Sequence, residues 1–107
     1  MKLALVLSLG LSLAATPALA DDAKTNYATY CSACHGDAGK GDGPAGGALD
    51  PKPSDLTVTK MTDEELAKII KDGGPAVGRS PLMAPWGAVL DDAKLKEMVA
   101  FIKTLGK

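Results

Sequence analysis

Cys31, Cys34 and His35 fall within five residues in the stretch CSACHGDAGKGDG, and they are the chain's two cysteines and its one histidine. On a helix, positions 31, 34 and 35 are i, i+3 and i+4, which puts both sulfurs and the imidazole on one side of the chain. Three chemistries use such a set. A structural zinc needs four ligands, usually thiolate or imidazole, and this chain offers three, two of them adjacent in sequence. A thioredoxin-like dithiol belongs near a βαβ pattern, which the sequence lacks, and a Cys31 to Cys34 disulfide would close too small a loop to constrain the unfolded chain much. The chemistry that C-x-x-C-H fits best is c-type haem attachment: two thiols form thioethers to the two vinyl groups on one haem edge, and the adjacent histidine reaches the iron.

These residues need helices to carry them. Three stretches show helical periodicity and none shows sustained alternation, which predicts one small all-α domain. The first helix is expected over about Asp22 to Ala33, with Tyr27, Tyr30, Cys31 and Cys34 on its inward face. The second starts at Thr62, which with Glu65 forms a capping-box pattern, buries Leu66, Ile69 and Ile70, and stops at Gly73. The third runs from about Asp92 to Leu105, capped by Asp91 and ended by Gly106, with a stripe of Leu95, Met98, Val99, Ile102 and Leu105. Between them lie two long Gly- and Pro-rich connections, Gly36 to Met61 and Gly74 to Leu90. Structureless loops of that length are uncommon in a compact domain unless they serve a site. They predict a chain wrapped around an object it does not itself contain. Gly41, Gly43 and Gly46 do spell G-x-G-x-x-G, but no strand precedes them and Pro44 interrupts them, so a nucleotide fingerprint is not expected.

The first 20 residues read differently from the rest. Lys2, an apolar run from Leu3 to Ala15 and the ending Ala18, Leu19, Ala20 predict a secretory leader at 1–20, leaving a domain at 21–107. The run falls short of the roughly 20 residues that span a bilayer, so no membrane anchor is expected after cleavage. Without Lys2, 11 basic residues face 13 acidic ones with no block of one sign, which argues against nucleic acid as a partner. A domain of 87 residues sits near the limit for an unaided core. Something beyond its own side chains is expected to hold it together.

The segments NYATYCSACHGDAGKGDGP, MTDEEL, LMAPWG and LKEMVAFIKTL together resemble the class I c-type cytochromes, in particular the small single-haem bacterial type. The resemblance covers nearly all of 21–107 and implies a cytochrome c-like fold, three main helices and long loops wrapped around one covalently bound haem c. It implies a methionine as second axial ligand: Met83, in SPLMAPWG, with Met61 as runner-up and Met98 as packing. It matches Pro44 to a proline whose carbonyl accepts a hydrogen bond from the axial histidine's other nitrogen, and Tyr27 and Phe101 to aromatics where first and last helices cross. Ala23 stands where the family often has glycine. Trp86 is expected on the wall of the haem pocket, as buried surface or with its indole N–H near a propionate, and Arg79 is a second candidate for a propionate.

Histidine and methionine together on iron raise the potential of cytochromes c, and with both axial positions filled little room is left for substrate. The expectation is a monomeric, periplasmic one-electron carrier between redox partner proteins, not an enzyme. Two rivals stand beside it: a haem enzyme or gas sensor in which Met83 is labile, and a dedicated electron-transfer subunit of a redox complex.

Overall fold

The computed structural model describes residues 17–106, with side chains from Asp22 onward. Most of the expected leader, including its whole apolar run from Leu3 to Ala15, lies outside the described residues. Helix α1 spans Pro17–Tyr30, α2 Ser32–His35, α3 Asp63–Asp72 and α4 Asp92–Thr104, with short 3-10 turns at Gly46–Ala48, Leu56–Val58 and Gly74–Val77. No strand occurs among the described residues, and the all-α expectation holds.

The expected first helix appears as two pieces, α1 beginning earlier than Asp22 and the chain turning at Cys31 before α2. A local competition explains the break. The Ser32 hydroxyl donates to the Ala28 carbonyl at 3.0 Å, taking the acceptor that a helical amide would use, and the Cys34 amide tightens to the Cys31 carbonyl three residues back. The axis is little disturbed, since the Cys31 and His35 amides still reach the carbonyls of Tyr27 and Cys31 at 2.9 Å. Helix α3 forms where the capping pattern predicts. The Glu65 amide donates to the Thr62 hydroxyl and the Thr62 amide to the Glu65 carboxylate, three acids occupy the first turn, and Gly73 ends it. Asp91 caps α4 by accepting from the Lys94 amide.

The apolar stripes meet where the helices cross. Helix α4 packs against both α1 and α3, burying Leu95, Met98, Val99 and Ile102 against Tyr27, Leu66 and Ile70. Tyr27 and Phe101 stand 5.3 Å apart at the α1–α4 crossing, as expected of that pair, and Ala23 is buried. Met98 is fully enclosed and serves as core. Lys103 of α4 pairs with Asp63 at the start of α3, tying the helices together at the surface.

Candidate functional site

One wall of the site is α2 and the turn before it. Cys31 is buried and Cys34 half-buried, and burial, followed by the neighbouring Cys34 thiol, pushes the Cys31 thiol up to about 11. The loop after α2 folds straight back onto it. The amides of Ala45, Gly43, Gly41 and Gly39 donate in turn to the carbonyls of Ala33, Cys34, His35 and Gly36, satisfying the acceptors that end a helix. The Gly36 carbonyl takes a second bond, at 2.7 Å, from the Tyr27 hydroxyl. That hydroxyl is held protonated: burial first, then the nearby Cys31, Asp37 and Asp42, push its pKa to about 12.

His35 is oriented by the next part of the same loop. Its Nδ1 lies 3.0 Å from the Ser54 carbonyl oxygen. A carbonyl can only accept, so Nδ1 carries a proton, and in the neutral ring the lone pair is then on Nε2. The expectation for Pro44 is corrected here. Pro44 is exposed and lies off the cavity, because its segment is drawn toward α2 by the Gly43 and Ala45 amides; the acceptor for the imidazole comes from ten residues further on.

The opposite wall is α3 and the second long loop. Between the walls lies a cavity of about 760 Å³, within the range of small-molecule sites, roughly 300–1,000 Å³. Cys31, Cys34 and His35 line it on one side, Leu66, Ile69 and Ile70 on another, and Met61, Met83 and Trp86 close it. Trp86 is held by its amide on the Ile70 carbonyl, and its ring rests on Tyr30 with centroids 5.2 Å apart. The Met83 backbone is fixed in both directions, its carbonyl accepting from Gly74 and its amide donating to Ser80. Lys52, Lys60 and Arg79 bring positive charge to the rim, with Asp55 and Glu65 beside them. Thr57, through hydroxyl and amide, holds the Asp55 carboxyl below its usual range.

The donor set fits a c-type haem. Two thiols and an imidazole with a free Nε2 face an apolar space that two thioether sulfurs can also reach. Zinc is a poor match: among the described residues no group of three or more His, Cys, Asp and Glu side chains is arranged to hold a metal ion. Of the residues singled out from sequence, Cys31, Cys34, His35, Met83 and Trp86 come together on one cavity, and Pro44 does not. Ser54 was missed because it acts through its backbone carbonyl, which leaves no side-chain signature. The Tyr27 hydroxyl was missed because its aromatic position already had a packing role.

The comparisons with known proteins agree with this geometry. The family described as cytochrome C oxidase, cbb3-type, subunit III matches residues 18–102. The chain is 33% identical over 90 residues to the Cbb3-type cytochrome c oxidase subunit FixPc of Rhizobium leguminosarum bv. viciae, an alignment covering 84% of this chain and 29% of that protein. Among solved structures it resembles a chain of the reducing HAO-like protein complex of Kuenenia stuttgartiensis, with a TM-score of 0.65 and 28% identity over 79% of this chain and 41% of the other. The chain therefore spans less than half the length of either relative. Because the family match runs through all four helices, both long loops and the cavity they enclose, the chain belongs to the cytochrome c oxidase, cbb3-type, subunit III family and is a small c-type cytochrome.

Proposed function

We propose that the protein is a periplasmic one-electron carrier that holds a single haem c through thioethers at Cys31 and Cys34, with His35 and Met83 as axial ligands. The observation that carries this reading is the hydrogen bond from His35 Nδ1 to Ser54, which reserves Nε2 of the neutral ring as the ligating nitrogen on the cavity side. Haem, when bound, supplies the one-electron couple; the chain supplies position and electrostatics. The two cysteines anchor one edge. The Ser54 carbonyl holds the imidazole in one tautomer and orientation and raises the basicity of Nε2. Met83 offers a soft, uncharged sulfur, which favours the reduced state. Leu66, Ile69 and Ile70 keep water from the interior, and the Lys52, Lys60 and Arg79 side chains at the rim offset carboxylates placed there.

Export is supported by the Lys2 start, the apolar run and the Ala18-Leu19-Ala20 ending. Among the described residues no helix is long and apolar enough to cross a membrane. The decisive experiment is a spectroscopic redox titration, with intact mass, of protein matured in cells that carry out haem attachment. The expected result is one haem per chain, added by mass, with amino-terminal sequencing that begins at Asp21. A mass equal to the bare polypeptide overturns the reading.

A second reading has its own support. The relatives named above are a subunit of an oxidase and a member of a multi-protein complex. On that basis the protein is a dedicated electron-transfer subunit, and it should copurify with a partner in fixed ratio from its native membrane or periplasmic fraction. A labile Met83, and with it a gas-binding or enzymatic role, predicts fast, tight carbon monoxide binding by the reduced protein; a carrier binds it poorly.

A further inference from the structure

Gly41 touches the axial histidine's surroundings at both ends. Its amide donates to the His35 carbonyl at 2.7 Å, fixing the backbone from which the imidazole projects. Its α-carbon stands against the Pro53–Ser54 peptide: a β-carbon placed there would lie 2.5 Å from the Pro53 oxygen and 3.3 Å from the Ser54 carbonyl carbon and oxygen. The Ser54 carbonyl is the acceptor for His35 Nδ1. The peptide it faces has little room to retreat, because the Leu56 amide is tied to the Gly39 carbonyl at 2.6 Å on the same loop. The backbone at Gly41 has φ of +83°, a conformation that glycine adopts without strain.

We propose that Gly41 is a positioning residue for the axial histidine: it clamps the His35 carbonyl and, by lacking a side chain, lets the Ser54 carbonyl approach the imidazole closely enough to accept a hydrogen bond from Nδ1–H. The claim rests on His35 being the iron ligand and goes beyond that reading by assigning what tunes it. A tight Nδ1–H bond makes the ring a stronger donor through Nε2, and a stronger donor favours the oxidised metal. Gly41 therefore keeps the potential lower than the same two ligands would otherwise set.

The test compares Gly41→Ala with Gly78→Ala in haem-loaded protein. Gly78 shares the positive φ, at +73°, but a β-carbon there would meet nothing within 4 Å, so it isolates backbone strain from the collision. Two quantities are read: solvent exchange of the His35 Nδ1 proton by NMR, and the reduction potential. In Gly41→Ala the ring proton is expected to exchange about tenfold faster, the factor a lost hydrogen bond is worth, and the potential to rise. Gly78→Ala is expected to lose stability with both readings unmoved. Equal readings in the two variants overturn the proposal. Should Gly41→Ala fail to fold, the wild-type holoprotein decides: the Gly41 amide and the His35 ring proton should open together, and a ring proton that opens tenfold more often than the amide overturns the clamp. A wild-type protein with no haem-shifted imidazole N–H shows instead that the ligand assignment itself fails, before any variant is compared, and the proposal falls with it.

Discussion

Met61 and Met83 both line the cavity and both are half-buried, so the proposal of Met83 as axial sulfur rests on its place in the SPLMAPWG stretch. Both side chains pack against the core, and the Met61 amide is held by the Thr59 hydroxyl much as the Met83 amide is held by the Ser80 carbonyl. Met83→Ala is expected to abolish the sulfur-to-iron charge-transfer absorption and lower the potential, with Met61→Ala leaving that band in place. An ultraviolet-visible titration of both variants checks it; survival of the band in Met83→Ala assigns the ligand to Met61. Tyr27 carries a second prediction. Its phenol has a folded pKa of about 12 against an ordinary 10, so on raising pH the unfolded chain loses this proton first. The stability Tyr27 contributes is whole below pH 10 and drains away between pH 10 and about 12. Tyr27→Phe should start about 1 kcal/mol less stable at neutral pH and lose less across that interval, read as urea midpoints of the two proteins. That Cys31, Cys34, His35, Met83 and Trp86 share one cavity was legible in sequence because their types are scarce or their setting is distinctive. The Ser54 carbonyl was not, since every residue has one and only the path of the loop selects it.

At the scale of elements, what sequence makes plain is where helices start and stop. Thr62 with Glu65, Asp91 with Lys94, and Gly73 after Asp72 all act as caps or stops because each satisfies backbone groups by short-range bonds that spacing alone specifies. Thr62→Ala should cost about 1 kcal/mol, since it removes one half of a reciprocal pair on an exposed turn. Thermal unfolding of the holoprotein measures it, with the haem spectrum unchanged. The interruption at Cys31 was not foreseen, because it turns on which of two donors, the Ser32 hydroxyl or a backbone amide, takes the Ala28 carbonyl. The route of the 36–61 loop was equally hidden. Its glycines signal close approach but not to what, and the partners prove to be the backbone of 32–36 on one side and the Pro53–Ser54 segment of the same loop on the other.

For the whole molecule, the expectation of a chain wrapped around a foreign object rests on a mismatch between few helices and long loops, and the cavity is where that mismatch is resolved. Leu66, Ile70 and Ile102 belong at once to the buried cluster and to the cavity wall. An occupant would pack against the same side chains that hold the helices together, extending the buried cluster across the cavity. Cys31→Ala combined with Cys34→Ala should give a chain without haem and without a cooperative thermal transition, monitored by calorimetry and near-ultraviolet circular dichroism. A sharp transition in that double variant would show that the polypeptide builds its interior unaided. The succession of amides that fastens residues 39–45 onto Ala33–Gly36 holds the segment that carries Cys34 and His35. Cys31, beside that segment, belongs at once to the buried cluster and to the cavity wall, so the same side chain is core on one face and lining on the other.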